Sequence, residues 1–180
     1  DLDWDMERTC EPVTFREDVD WCCIPDEDPE FVWQFNRHRF FICLGQAWQL
    51  TGDEKYVRNF LRLIHDWMDR IPMEGIMQMG PWRMLETGLR GETWTKAIRY
   101  FRNSSLLTEE FIDKFAGYLR LHAKRLEEKG GDERLQSNWC ILENSGLFYY
   151  SQSFFIESLK QTPSKKLRNW TIPCAMIKAV

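Results

Sequence analysis

The 180-residue chain lacks several features that mark common protein classes. It contains no apolar run long enough to span a bilayer, so we expect no transmembrane helix and no membrane partner. The glycine-rich phosphate-binding patterns are absent, as are the G-x-S-x-G and H-E-x-x-H catalytic motifs. These absences argue against a nucleotide-dependent enzyme and a zinc protease, and we expect no cofactor.

An excess of positive charge is also missing. The chain has 24 Lys and Arg against 28 Asp and Glu, a formal net charge of −4, whereas nonspecific nucleic-acid binding requires a basic field. We therefore expect no nucleic-acid partner, although a local basic cleft could still hold an acidic ligand. Histidine is rare: His38, His65 and His122 form no H-x-x-x-H pair, so we expect no zinc site.

The six cysteines include no C-x-x-C pair and do not resemble the disulfide framework of a small secreted protein. Cys43 and Cys140 lie in apolar runs and are interpreted as buried small hydrophobic residues. The opening Asp-Leu-Asp-Trp-Asp has neither the basic start nor the apolar core of a signal peptide. If the protein is exported, we expect the signal to have been removed.

Aromatic residues are abundant instead, with nine Trp and twelve Phe. A hydrophobic fraction of 43% excludes a disordered chain, and 180 residues suffice for one domain with a real core. Apolar residues recur at helical spacing, and no segment alternates at period two long enough to require a sheet. The pattern predicts an all-α fold built from antiparallel helical hairpins.

Residues 1–28 are acidic and interrupted by Cys and Pro, and we interpret them as an extended N-terminal arm. Residues 29–180 are the predicted helical domain. Gly52 is predicted to end the first helix, Thr51 and Glu54 resemble a capping box that opens the second, and Thr108 is a predicted N-cap. The predicted helices cover about 29–50, 56–71, 82–101, 109–129 and 135–151, with a sixth from about 164.

Three of these helices carry polar side chains among tryptophans. Buried polar groups need partners, and Arg suits the recognition of carboxylate or sulfate, so the mixture predicts a groove for an acidic sugar chain. A surface salt-bridge ladder on the third helix is the plainer alternative. The residues are Trp33, Asn36, Arg37 and His38 on the first helix, Trp82, Arg83, Glu86 and Arg90 on the third, and Asn138, Trp139 and Glu143 on the fifth.

In these three segments, the chain resembles the N-terminal helical domain of the heparinase II/III family, in particular the heparinase III type. Four phrases in matching order carry the resemblance, which extends from about Trp21 to Phe155. They are FVWQFNRHRFF, LGQAWQLTGDEKY, PWRMLETGLR and SNW.

The resemblance implies an incomplete (α/α) toroid, truncated relative to the family and lacking the β-sandwich domain that follows it there. It also implies a bacterial, periplasmic lyase that cleaves heparan sulfate-like glycosaminoglycans by β-elimination. A donor must then hold the uronate carboxylate while the C5 proton is removed, and Asn138 occupies the position of the family's asparagine. The family's catalytic Tyr lies farther along the toroid, and Tyr149 and Tyr150 follow Asn138 too closely to replace it.

We therefore expect the N-terminal part of a polysaccharide lyase, with Asn138 as its catalytic residue and little turnover by this chain alone. The remaining residues of the groove are expected to bind substrate. A non-catalytic glycan-binding module and a helical interaction module remain as alternatives. Self-association across the truncated edge is a further expectation, because such an edge could expose apolar surface.

Overall fold

The computed structural model describes residues 2–4, 12–16, 18–127 and 137–154, and within them the chain is mostly helical, as predicted. A short antiparallel ribbon pairs Leu2 with Phe15 and Trp4 with Val13. In chain order the elements are β1 (Leu2–Trp4), β2 (Val13–Phe15), α1 (Pro29–Phe35), α2 (Phe40–Thr51), α3 (Lys55–Arg70), α4 (Met84–Phe101), α5 (Glu109–Glu127) and α6 (Asn138–Phe154).

The predicted first helix is two helices, because the chain breaks between Phe35 and Phe40. The Asn36 carbonyl, which a continuous helix would pair with the Phe40 amide, instead accepts a hydrogen bond from Arg90 Nη1 at 2.8 Å. His38 adopts a left-handed φ of 55°, which a helix interior does not allow. A tertiary contact thus interrupts a segment whose composition favours a continuous helix.

The turn between α2 and α3 confirms one expectation and contradicts another. Gly52 ends α2 with a left-handed φ of 66° and donates its amide to the Trp48 carbonyl at 2.7 Å, as a C-terminal glycine should. The capping box is not formed, because Thr51 Oγ1 donates to the Ala47 carbonyl within α2 and accepts the Asp53 amide at 3.2 Å rather than the Glu54 amide. The Asp53 side chain caps the start of α3 instead, because its Oδ1 accepts the Lys55 amide at 2.9 Å.

The remaining helix boundaries lie near their predicted positions. Thr108 caps α5, since its hydroxyl accepts the Phe111 amide at 3.2 Å. A 3-10 turn at Gly75–Gln78 occupies the long connection between α3 and α4. The predicted stop at residues 130–131 and the sixth helix from about residue 164 lie outside the described residues.

Helix α4 lies at the centre of the packing and contacts α2, α5 and α6, while α2 also packs on α3. The core around it is dominated by aromatic rings, and the N-terminal arm contributes Phe15 and Trp21 to that core. Trp21 is only 1% exposed, and its indole donates to Asp66 on α3 at 2.7 Å. Part of the predicted extended arm is therefore packed into the helical body.

Helices α4 and α6 cross with almost no space between their backbones. A Cβ on Gly88 would lie 2.8 Å from the Glu143 Cα, and a Cβ on Gly91 would lie 2.8 Å from the Gly146 carbonyl. A Cβ on Gly146 would overlap the Gly88 backbone. Because glycine lacks this atom, the two helices can approach closely, and the start of α6 is held near the start of α4.

The cysteine interpretation is wrong for Cys43, which is exposed, and Cys140 is half-buried. The buried side of α2 carries Phe41, Gly45 and Trp48, and Cys43 points away from it because adjacent positions are about 100° apart on a helix. Within the described part of the chain, no helix has the length and apolar character needed to cross a membrane. The same residues contain no group of three or more His, Cys, Asp or Glu arranged to hold a metal ion.

Candidate functional site

Three helix ends bring an arginine between two tryptophans. Arg83 precedes α4, Trp33 lies on α1 and Trp139 lies at the start of α6. The Arg83 guanidinium carbon lies 3.6 Å from the centre of the Trp33 ring and 5.0 Å from the centre of the Trp139 ring. Both distances fall within the range of cation–π attraction. We call Trp33, Arg37, Arg83, Glu86 and Trp139 the arginine–tryptophan cluster.

A buried carboxylate organises the two arginines of this cluster. Glu86 is 0% exposed, and its Oε1 accepts hydrogen bonds from Arg37 Nη2 at 3.0 Å and Arg83 Nη2 at 2.9 Å. Its Oε2 accepts from Arg83 Nε at 2.5 Å. Charge-assisted bonds of this kind fix direction as well as position. Arg37 Nη2 also pairs with Glu30 of α1 at 3.4 Å, so Glu30 offsets the single positive charge that the two arginines and Glu86 would otherwise carry.

Arg83 has one terminal nitrogen that is not hydrogen-bonded within the described residues. Glu86 uses Nε and Nη2, and none of the hydrogen bonds found among the described residues uses Arg83 Nη1. The Arg83 side chain is 16% exposed and the Arg37 side chain 13%. Glu86 thus fixes the direction of both arginines, while part of each side chain stays exposed.

Asn138 is the first residue of α6 and is exposed beside the cluster. Ser137 caps the helix, because its Oγ accepts the Trp139 amide at 3.1 Å and its carbonyl accepts the Cys140 amide at 3.0 Å. No hydrogen bond within the described residues occupies the Asn138 carboxamide. The site therefore has a neutral amide donor at the positive end of a helix, where anions are stabilised.

Arg90 supports the site from beneath and does not face it. It is 0% exposed, and it donates to the Asn36 carbonyl at 2.8 Å, the Pro81 carbonyl at 2.5 Å and His122 Nε2 at 3.0 Å. Burial lowers its pKa to about 10, so the guanidinium stays charged near neutral pH. Arg90 thereby joins the break between α1 and α2 to the loop that presents Arg83.

Hydrogen bonds to backbone carbonyls hold the loop before Arg83 in place. The Met79 carbonyl accepts from Trp33 Nε1 at 3.1 Å, and the Trp82 carbonyl accepts from Arg125 Nε at 3.3 Å. The Trp82 ring is itself buried, and its indole donates to the Ile71 carbonyl at 3.0 Å. Trp82 therefore stabilises the loop and offers no stacking surface.

Asn36 and His38 are also buried beneath the site. Asn36 Nδ2 donates to the Trp21 carbonyl at 2.8 Å, and its Oδ1 accepts from Trp67 Nε1 at 2.7 Å. His38 Nδ1 accepts from Trp94 Nε1 at 2.9 Å. Burial, with the charge of Arg90 nearby, holds the pKa of His38 well below its ordinary value, so the imidazole is neutral.

The structure therefore corrects part of the expected substrate surface. Asn36, His38, Trp82 and Arg90 are each 0% exposed, and their positions support the loop and helix ends rather than face a ligand. Glu143 is 8% exposed and lies where α6 crosses Gly88. The residues that remain accessible around one surface are Trp33, Arg37, Arg83, Asn138 and Trp139, with Glu86 directly beneath.

Sequence reasoning missed two buried groups below this surface. His122 on α5 accepts from Arg90 and places its Nδ1 2.6 Å from the Tyr118 carbonyl, so Nδ1 carries the proton. Tyr150 donates its hydroxyl to the Thr87 carbonyl at 2.5 Å, and burial raises its pKa well above the ordinary value. His122 falls on the apolar stripe of α5, and this periodicity could have identified it as a buried residue. No comparable sequence pattern identified Tyr150.

Comparison with known proteins identifies the family of this chain. A family model described as Heparinase II/III N-terminus matches residues 3–166. A heparin-sulfate lyase of Bacteroides stercoris is 29% identical over 161 residues, covering 79% of this chain and 24% of the lyase. A heparin-sulfate lyase of Pedobacter heparinus is 30% identical over 118 residues, covering 60% of this chain and 18% of that protein.

A solved structure shows the same fold. The crystal structure of heparan sulfate lyase HepC from Pedobacter heparinus superposes with a TM-score of 0.77 at 23% identity, covering 92% of this chain and 25% of that one. This chain spans about a quarter or less of the length of these relatives. Because the family model matches most of its length, the chain belongs to the heparinase II/III family and carries the family's N-terminal region.

Proposed function

We propose that this chain forms the N-terminal part of a polysaccharide lyase that acts on heparan sulfate-like glycosaminoglycans by β-elimination. Its helical hairpins would be the first part of an incomplete (α/α) toroid, and the protein would work in a bacterial periplasm. The curated relatives are heparin-sulfate lyases, which supports a uronic-acid polymer as the substrate class.

The observation that carries the proposal is Arg83, held between Trp33 and Trp139 by the Glu86 carboxylate. The outer Nη1 would donate to a carboxylate or sulfate of the polymer, and the flanking rings would contact apolar faces of the sugars. Because Glu86 and the two rings fix the guanidinium in advance, little side-chain entropy is lost when an anion binds.

Asn138 would neutralise the uronate carboxylate at the reacting sugar. Removal of the C5 proton places developing negative charge on that carboxylate, so a neutral donor that strengthens its bond in the transition state accelerates the step. Its position at the first residue of α6 adds the positive end of the helix. The neighbouring Arg83 would hold the polymer in register.

A glycan-binding role without chemistry is the second candidate, and it is favoured by the state of the histidines. His38 and His122 are fully buried with pKa values held well below normal, chiefly by burial. His65 lies on α3 against Phe111, away from the cluster. Among the described residues, none of the three is placed to take a proton from a sugar bound at Asn138, so turnover would require a base other than these histidines.

The binding half of the proposal is tested on this chain with heparan sulfate oligosaccharides and isothermal titration calorimetry. We expect Arg83→Gln to weaken binding about tenfold or more, because a charge-assisted contact is lost. Arg62→Gln is the matched control, since Arg62 is an exposed arginine on α3 outside the cluster. Equal affinity of Arg83→Gln and the parent protein would contradict the proposed site.

The catalytic half needs a longer protein that includes the parts found in the relatives, followed by the ultraviolet absorbance of unsaturated uronate. We expect Asn138→Ala to lower kcat by about 10²–10³-fold, the range seen when one oxyanion donor is removed. The same substitution should change oligosaccharide affinity far less. Retained kcat would remove Asn138 from the mechanism, and retained binding without product in the longer parent protein would favour the binding module.

A further inference from the structure

A second concentration of positive charge lies at the far end of α4. An open pocket of about 400 Å³ is lined by Gln49 of α2 together with Lys96, Arg99, Tyr100 and Arg102. Three of these five residues are cationic, in a chain whose net charge is −4. Arg99 is sixteen positions beyond Arg83, so about 24 Å of helix separates this basic pocket from the arginine–tryptophan cluster.

The wall of the basic pocket is built by a close helix contact. The Tyr100 side chain lies over Gly45, where an added Cβ would sit 2.6 Å from the Tyr100 Cβ. Gln49, one turn further along α2, donates its side-chain amide to the Tyr100 carbonyl at 2.5 Å. The opening between α2 and the end of α4 is thus fixed by the Tyr100 side chain against Gly45 and by the hydrogen bond from Gln49.

The charges in the basic pocket are only partly compensated. Lys96 pairs with Glu92 one turn earlier, and its ammonium lies 5.8 Å from the Tyr149 ring centre. Arg102 is exposed and takes part in none of the ion pairs formed among the described residues. Arg99 is half-buried, and its pKa is lowered first by burial and further by the like charge of Arg102. An anion bound in the pocket would offset the repulsion between these two like charges.

We propose that the basic pocket binds a tetrahedral oxyanion, with sulfate as the model ligand. Such an anion offers acceptor oxygens in several directions, which suits guanidinium groups that converge from successive turns of a helix. The group could be a free anion or a sulfate ester on a sugar, because both present the same oxygens. The site is separate from the one proposed for substrate at Arg83 and does not depend on that assignment.

The test uses the full 180-residue chain and titrates sodium sulfate at constant ionic strength maintained with sodium chloride. We expect saturable sulfate binding that becomes at least about tenfold weaker in Arg99→Gln/Arg102→Gln. Arg102→Gln alone should weaken sulfate binding about threefold and should leave the fold unchanged, since Arg102 is exposed. Arg62→Gln is the control and should bind sulfate like the parent chain, since Arg62 is exposed on α3 and does not line the basic pocket.

Loss of sulfate affinity in both basic-pocket variants, with unchanged circular dichroism, supports the proposal. Unchanged affinity in Arg102→Gln and in the double variant, or a parent chain that does not bind sulfate, overturns it.

Sulfated and desulfated heparan oligosaccharides then identify the source of the group. If the double variant weakens only the sulfated form, the pocket takes sugar-borne sulfate, and if it weakens neither, the pocket takes the free anion. Arg83→Gln reports separately on the substrate site.

Discussion

Glu86 shows how one side chain positions a recognition surface. Its carboxylate is fully buried and bonded to Arg37 and Arg83, each of which remains partly accessible. Burying a carboxylate costs free energy unless its partners compensate, and here the partners are the two cations of the cluster. The carboxylate therefore stabilises the fold and orients the guanidinium groups at the same time.

Replacing Glu86 with Gln should lower the free energy of unfolding by about 3 kcal/mol, because Arg83 loses its counter-charge and Arg37 keeps only the longer, partly exposed pair with Glu30 at 3.4 Å. Urea denaturation followed by circular dichroism measures this change. Glu92→Gln is the matched control, since the Glu92–Lys96 pair is exposed and should change stability by less than about 1 kcal/mol. A similar small loss in both variants would show that the buried carboxylate is not needed.

At the scale of helices, the crossing of α4 and α6 decides where Asn138 and Trp139 lie relative to Arg83. We expect Gly146→Ala to destabilise the protein by about 1–3 kcal/mol, because the added methyl would overlap the Gly88 backbone. It should also weaken oligosaccharide binding, because α6 must shift to make room. Thermal unfolding and calorimetric titration measure the two effects.

Gly117→Ala provides the control on another helix. Gly117 lies within α5, and an added Cβ there meets nothing within 4 Å. Since Ala favours helix more than Gly by about 1 kcal/mol, this variant should be as stable as the parent chain or more stable. If Gly146→Ala behaves like Gly117→Ala, the close crossing does not constrain the site.

Across the whole molecule, the buried histidines link stability to pH. Folding holds the pKa of both His38 and His122 well below the ordinary value, chiefly through burial and also through the charge of Arg90. Below an unfolded-state pKa of about 6.5, the unfolded chain binds protons that the folded chain does not. The free energy of unfolding should therefore be greatest above that pH and fall on acidification, by up to about 1.4 kcal/mol per pH unit for each histidine.

His122→Asn should lower stability at pH 7 and also reduce the loss between pH 6.5 and 5, because one of the two buried titrating groups is gone. Denaturation curves at several pH values give both quantities. His65→Asn is the comparison, since His65 is only partly buried and its pKa is lowered less strongly, by burial and Lys114. An acid dependence unchanged in His122→Asn would contradict the linkage.

Much of the helical architecture is readable from local pattern. The stripe on α3, the glycine end of α2 at Gly52 and the cap at Thr108 are local signals, and all three match the structure. The break between α1 and α2 is not local. It depends on Arg90, more than fifty positions away, which takes the Asn36 carbonyl that would otherwise continue the helix.

The amino-acid order alone determined the helical class, the family and the set of polar residues near tryptophan. It did not separate those that face solvent from those that lie beneath, because Arg83 and Arg90 fall within one predicted helix in similar local sequence. Packing separates them: Arg83 lies just before α4 against two rings, whereas Arg90 meets the Asn36 carbonyl between α1 and α2 and the Pro81 carbonyl of the loop before α4. How deeply a side chain is buried and which partner it meets are decided by tertiary packing, so the adjacent residues in the sequence do not determine them.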